Sequence, residues 1–265
     1  MKKEEKARIE RIVCTHLTHF ANGLKTKHIK QANNPEGVIN LKKQNAFMNR
    51  LQNEFMYYSA LVRSFDSSFG KFLEKLALEI ARENYEVSQK VVGKLDTRQI
   101  GHIDDVITNY RKRKAKPEIS HYVNYNTPLF SLSDAEHDSD HLLYDKTNNT
   151  YHIIELKAGG DLDSKKAPAE KRALMEQYFI LRNSGVAADI KLHFATAYNK
   201  FGEENEWTQP FVEMYFAKEE LLIGKSFWNF VCKDEGGFDT VIQAYNDNIS
   251  IITQALEDIK KVYSI

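Results

Sequence analysis

Cysteine is almost missing from this sequence. Cys14 and Cys232 are its two thiols, and they lack the paired spacing that a disulfide framework or a zinc–cysteine site requires. No apolar run approaches the ~20 residues a helix needs to span a bilayer, so no membrane association is expected. The first residues, MKKEEKARIER, contain none of the apolar stretch of a secretory signal. Together these absences point to a cytoplasmic protein. An excess of charge of either sign is missing too, since 37 basic residues meet 37 acidic ones. That balance argues against nucleic-acid binding by bulk electrostatics alone, because counterion release rewards strongly basic surfaces. It leaves room for an enzyme whose acids hold metal ions while its bases form a local patch. No internal repeat, low-complexity tract or linker interrupts the 265 residues, so the expectation is a single domain, 1–265.

What is present suits a self-supporting core: 42% apolar and 28% charged residues, ordinary for a globular chain. The first half reads as helical. Ile9, Ile12, Val13, Leu17 and Phe20 recur at helical spacing, and Asn33, Asn34 and Pro35 break the pattern. A second helix is expected over Gln44 to Arg63. A third should be capped by Ser67 or Ser68 and carry Phe72, Leu73, Leu76 and Ile80. A polar helix over Thr97 to Tyr110 runs into RKRKAKP, whose Arg111, Lys112 and Arg113 begin a basic stretch suited to a phosphate backbone. The pattern then turns to strands: His141 to Asp145, a turn at KTNNT, and Tyr151 to Lys157 returning as a hairpin. Pro168 opens a helix with Leu174, Tyr178 and Leu181 on one stripe and Gly185 as its stop. Ile190 to Tyr198 is a third strand, Phe211 to Phe216 a fourth, and a long helix from Asp239 to Val262 closes the chain.

The chemistry gathers where Tyr151 to Lys157 ends. Side chains alternate across a strand, so Glu155 and Lys157 share a face and Leu156 points away. Across the hairpin stands Asp140, in an approximate register with Glu155. Two converging carboxylates repel, and a partly buried one has its pKa raised. A hard divalent cation such as Mg²⁺ relieves both problems, binding one or two carboxylates while keeping several waters. Lys157 adds a positive charge where a phosphate oxygen or an attacking hydroxide would sit. An acid-any-Lys triplet recurs elsewhere in the chain. The one at Glu155 is distinguished by the strand before it, the upstream Asp140, and the helix and strand that follow. A rival site is His137-Asp138-Ser139-Asp140-His141, a density of ligands able to hold Zn²⁺ or Mn²⁺. Its place in a strand pattern sets it apart from helical His-Asp phosphohydrolases. Lys165, Lys166, Lys171 and Arg172, beside the start of the helix that follows, could grip phosphates next to the cut. Asn205 and Gln209, in the polar segment GEENEWTQP, could read base edges.

Asp140 followed by Glu155-Leu156-Lys157, within strand–strand–helix–strand, resembles the PD-(D/E)xK nuclease core. The sequel from Gly159 to Leu181 is similar to that of type II restriction endonucleases, especially the TdeIII-like group, and Gly224 to Tyr245 is similar to the C-terminal part of such enzymes. The proline that often precedes the first acid is replaced by Ser139. The resemblance implies an α/β restriction-endonuclease-like fold, a mixed central sheet flanked by helices. In it 1–66 is a helical N-terminal region, 67–245 the core with recognition elements, and 246–265 a C-terminal helix. It implies that Asp140, Glu155 and the Leu156 carbonyl ligate Mg²⁺, that Lys157 positions or deprotonates the attacking water, and that a helix contributes Glu74, with Glu79 the alternative. The products would be 5′-phosphate and 3′-hydroxyl ends on double-stranded DNA cut at a short palindromic site of GGNCC type. A homodimer and a cognate DNA methyltransferase complete the implied picture. The alternatives are a catalytically silent DNA-binding or assembly module of the same fold and a structure-specific repair nuclease.

Overall fold

A computed structural model describes residues 1–263; Ser264 and Ile265, the end of the expected 246–265 segment, lie outside the described residues. The chain forms two compact units, one made of Met1–Ala77 with the residues from Asp239 onward, the other of Leu78–Phe238. The first is helical. It contains α1 (Lys3–Ala32), α2 (Val38–Gln44) and most of α3 (Asn53–Ala81). Ser67 and Ser68 do not start a helix, because α3 runs through them. Phe65, Phe69 and Phe72 recur along it at helical spacing and pack around Phe20 of α1 with ring centroids 5.2–5.8 Å apart. Burial of that stripe outweighs the modest preference of serine for a cap.

The second unit holds the sheet. Its elements in chain order are β1 (Glu86–Asp96), α4 (Thr97–Arg111), α5 (Ser120–Val123), β2 (Leu132–Asp145), β3 (Thr150–Lys157), α6 (Lys166–Asn183), β4 (Asp189–Thr196), α7 (Pro210–Glu213), β5 (Leu221–Ile223) and α8 (Lys225–Cys232). The five strands lie in the spatial order of their numbering. β1, β2 and β3 form an antiparallel meander, and β3, β4 and β5 run parallel. This is the mixed sheet flanked by helices that the sequence led us to expect. The hairpin turn is closed by Asp145, whose carboxylate accepts the Thr147 N–H at 2.9 Å and the Asn148 side-chain amide at 2.9 Å, with Asn149 at φ 50°.

One face of the sheet packs on α4 and α6 through Val91, Leu95, Leu142, Ile153, Leu192 and Phe194. The other meets α8, where Tyr85, His152 and His193 surround the Phe230 ring. α4 is started by Asp96, which accepts the Arg98 N–H at 2.8 Å while Gln99 reaches back to the Asp96 N–H at 3.1 Å. That reciprocal arrangement is a capping box.

Three further expectations need correction. The helix expected over Gln44 to Arg63 is interrupted, because α2 ends at Gln44 and α3 begins only at Asn53, with the Asn45 side chain turning the chain by accepting the Phe47 N–H at 2.9 Å. One strand was not expected: Glu86 to Asp96 forms β1, in which Val87, Val91 and Leu95 keep one phase but are parted by the exposed run Ser88-Gln89-Lys90. Phe211 to Phe216 is not a strand. Pro210 and the Gln209 side chain, which accepts the Phe211 and Val212 N–H groups at 2.8 and 3.0 Å, begin the short helix α7 there. The closing helix is two, α9 (Gly237–Asp247) and α10 (Ile249–Val262). Asn248 separates them, and its side chain donates to the Ala244 carbonyl at 2.8 Å. No helix among the described residues is long and apolar enough to cross a membrane.

Candidate active site

Asp140 stands on β2 at an irregularity. Between Leu142, opposite Ser88, and Asp138, opposite Lys90, β2 has three residues where β1 has one. The extra residues bulge, and side-chain alternation inverts across them. Leu142 faces the core under α6, yet beyond the bulge His137 and Ala135 face that same side. Bulges re-aim side chains next to functional sites, and this one aims Asp140. Its Oδ2 accepts the Leu156 N–H at 2.9 Å, so a side chain bridges β2 to β3. One step before, the ladder pairs His141 with Ile154. Continuing that register puts Asp140 across from Glu155.

Glu155 and Lys157 share a face of β3, as the alternation dictates, and Lys157 Nζ donates to Glu155 Oε1. Lys157 Nζ also lies 3.2 Å from Glu170 Oε1 on α6. The structure therefore brings Asp140, Glu155 and Lys157 together and adds Glu170, which sequence reasoning missed. A signal was there to find: Glu170 continues the buried stripe of Leu174 and Tyr178 by one turn, so it looks toward the sheet and not toward solvent.

Electrostatics mark the cluster as strained by like charge. The Glu155 carboxyl, 14% exposed, is raised to about 8, first by burial and then by the neighbouring Asp140 charge. Burial likewise raises Asp140, against the lowering influence of the Leu156 N–H and Lys157. Each of the two carboxyl groups feels the other's charge, so both disfavour being ionised together. Burial alone would lower Lys157, but Glu155 and Glu170 hold its proton on more tightly than usual. Hard oxygen donors pressed together in a half-buried place suit Mg²⁺. Among the described residues no group of three or more His, Cys, Asp and Glu forms a metal cage by itself. Two carboxyl groups in one half-buried place are a donor set that Mg²⁺ accepts when water fills its other positions.

The rival His-Asp cluster separates. His137 pairs with Glu176 of α6 at 3.1 Å, whereas His141 is buried on the opposite face near the Phe227 ring.

Around the cluster, the loop after β3 turns at Gly160, where φ is +77° and a Cβ would come within 2.6 Å of Thr196. Lys165 and Lys166 are exposed where that loop enters α6. Lys171 is not a surface residue: it is 1% exposed, pairs with Glu220, and its Nζ lies 4.8 Å from the Tyr122 ring centre. Arg172 is half-buried between Asp104 and Glu176. Gln209 is buried as well, donating to the Leu162 carbonyl at 2.6 Å while capping α7, so it does not face a base. Asn205 is exposed, and its amide donates to the Phe201 carbonyl. Arg111, Lys112 and Arg113 are exposed at the end of α4. Glu74 sits half-buried on α3, in the helical unit, and Glu79 pairs with Arg82.

Such an arrangement can set a hard cation and an ammonium close together. Among comparisons with known proteins, a family model described as "Type II restriction endonuclease, HinfI" matches residues 5–248. No curated protein matches the chain.

Proposed function

The chain belongs to the HinfI family of type II restriction endonucleases, enzymes that cut double-stranded DNA at specific sites, and from that premise we infer that Asp140, Glu155 and Lys157 form its catalytic centre. The observation that carries this reading is that Asp140, at the β2 bulge, accepts the Leu156 N–H while Glu155, beside it in sequence, accepts from Lys157. That pattern supports the resemblance to a PD-(D/E)xK core. Asp140, Glu155 and the Leu156 carbonyl would hold Mg²⁺. When bound, that ion supplies positive charge to the phosphate oxygens as the linkage breaks. Lys157 orients the attacking water through its N–H groups and meets the negative charge that develops beside it. Burial keeps Asp140 and Glu155 out of bulk water, which strengthens every charge interaction between them.

Lys165 and Lys166, with the basic run from Arg111 to Arg113, suit the phosphate backbone. Arg172 is held by two carboxylates and is less free to do so. Asn205 is the remaining candidate base reader, and the resemblance alone speaks for a helical glutamate, Glu74 or Glu79. A palindromic site cut on both strands calls for two symmetric centres and hence a homodimer. A methyltransferase of matching specificity would protect host DNA. The GGNCC-type target implied by the TdeIII-like resemblance is the first sequence to try.

Digestion of plasmid and phage DNA with Mg²⁺, followed by sequencing of the ends, tests the proposal. Discrete fragments with 5′-phosphates are expected from the intact protein, and no cleavage from Asp140→Ala, Glu155→Ala or Lys157→Ala, each still folded. Near-normal cutting by any of the three removes that residue from the centre. Binding without any cutting points to a silent module, and cutting confined to junctions points to a repair nuclease.

A further inference from the structure

Resting on that reading of Lys157, we propose that Glu170 is its positioning residue, the carboxylate that holds the ammonium in place while the oxygens of Glu155 serve a cation. Lys157 Nζ has three donors and two carboxylate partners, Glu155 by a direct hydrogen bond and Glu170 at 3.2 Å. Glu155 cannot serve both positive charges at full strength, because two cations on one carboxylate repel. The partner left to the lysine is then Glu170.

Glu170 is well placed for the task because its helix is anchored. Its neighbour Lys171 is locked to Glu220 in the interior, and Leu174 and Tyr178 on the same stripe are buried. A lysine on its flexible four-carbon stem is thereby tied to a fixed element, the condition under which a reacting group keeps its geometry. The service of Glu170 is to the lysine, through which it acts on the reaction. The acid on α6 and the base that ends β3 thus clasp strand to helix.

The test compares Glu170→Gln and Glu170→Ala with Lys157→Ala and Glu155→Gln, using single-turnover cleavage of a duplex carrying the target. In parallel, Mn²⁺ binding to the DNA-free proteins is measured by calorimetry. Glu170→Ala is expected to lower the cleavage rate roughly 10- to 100-fold with little change in the DNA concentration giving half-maximal rate. Glu170→Gln, whose amide oxygen still accepts the lysine N–H, recovers most of that rate. Mn²⁺ affinity stays close to the parent value in both Glu170 variants and collapses in Glu155→Gln. Cleavage at the parent rate by Glu170→Ala while Lys157→Ala is dead overturns the proposal. Loss of Mn²⁺ binding in Glu170→Gln as complete as in Glu155→Gln overturns it too, by making Glu170 a ligand. Full activity in Lys157→Ala instead brings down the underlying assignment of the centre.

Discussion

Lys171 shows how a charge that reads as a phosphate-gripping group becomes part of the interior. It lies in the run KKAPAEKR between exposed and half-exposed neighbours, so composition places it with them. Helical phase separates it: Ala167, Lys171, Leu174 and Tyr178 form one buried stripe of α6. Its ammonium meets Glu220, whose other partners are the Tyr122 hydroxyl at 2.9 Å and the Ala217 N–H at 2.8 Å. Burial lowers the Lys171 pKa while Glu220 opposes the shift. Removing one member of a buried ion pair leaves the other uncompensated, so Lys171→Ala is expected to cost about 3–5 kcal/mol of stability. The double variant Lys171→Met, Glu220→Gln should recover most of that loss, because an amide oxygen still accepts from Tyr122. Urea unfolding of the three proteins checks this, and a Lys171→Ala protein as stable as the parent would refute it. The same residue teaches why sites are harder to read than folds. Glu155 and Lys157 were legible because strand alternation leaves no choice of face, whereas Lys171 and Gln209 turn on which side of a helix or loop packs inward.

Elements were legible where their periodicity is unbroken and obscure where it is not. α4, β3 and α6 emerge near their observed limits because caps, alternation and an apolar stripe agree. β1 is obscured by the exposed run Ser88-Gln89-Lys90 between its apolar residues, and α3 by two serines that sit inside it. β3 and β4 carry a further feature that pattern alone does not show. His152 Nδ1 and His193 Nε2 lie 3.0 Å apart, buried beneath Phe230 and Tyr85. Burial, then the charge of Lys191, lowers His152 to about 4. Burial, then His152 and Lys191, lowers His193 to about 3. Asp145 and Asp189 pull His152 the other way, and Lys233 adds to the lowering. Because both folded pKa values lie below that of a free histidine, the unfolded chain takes up the protons first. The stability these groups provide is complete above about pH 6.5 and is lost as pH falls through about 4 and then 3. His152 alone accounts for on the order of 3 kcal/mol of that decline. Urea midpoints followed downward from neutral pH should fall steeply in the parent and more gently in His152→Phe, His193→Leu. Parallel declines in the two proteins contradict the assignment.

At the scale of the molecule, overall neutrality makes attraction to DNA a local matter. The balance of 37 against 37 charges leaves the exposed run from Arg111 to Lys116 as a concentrated positive feature. Replacing those bases by glutamine is expected to weaken binding to all sequences alike. The dependence of log affinity on log salt should flatten by about 0.9 for each phosphate the protein no longer neutralises. A variant that changed site preference while keeping the parent's salt slope would show that the run reads bases instead. The division into two units could not be read from composition, which shifts nowhere abruptly. It is drawn by pairs far apart in the chain, such as Lys25 with Asp258 at 2.7 Å. The inversion of alternation in β2 also reaches beyond the site it serves. Past the bulge, β1 and β2 pair only with each other, from Lys90 with Asp138 out to Asp96 with Leu132. Trimming that outer ribbon would uncover the core beneath Val91 and Leu95 and strip α4 of the Asp96 that starts it, so the ribbon's reach is tied to the helices it covers.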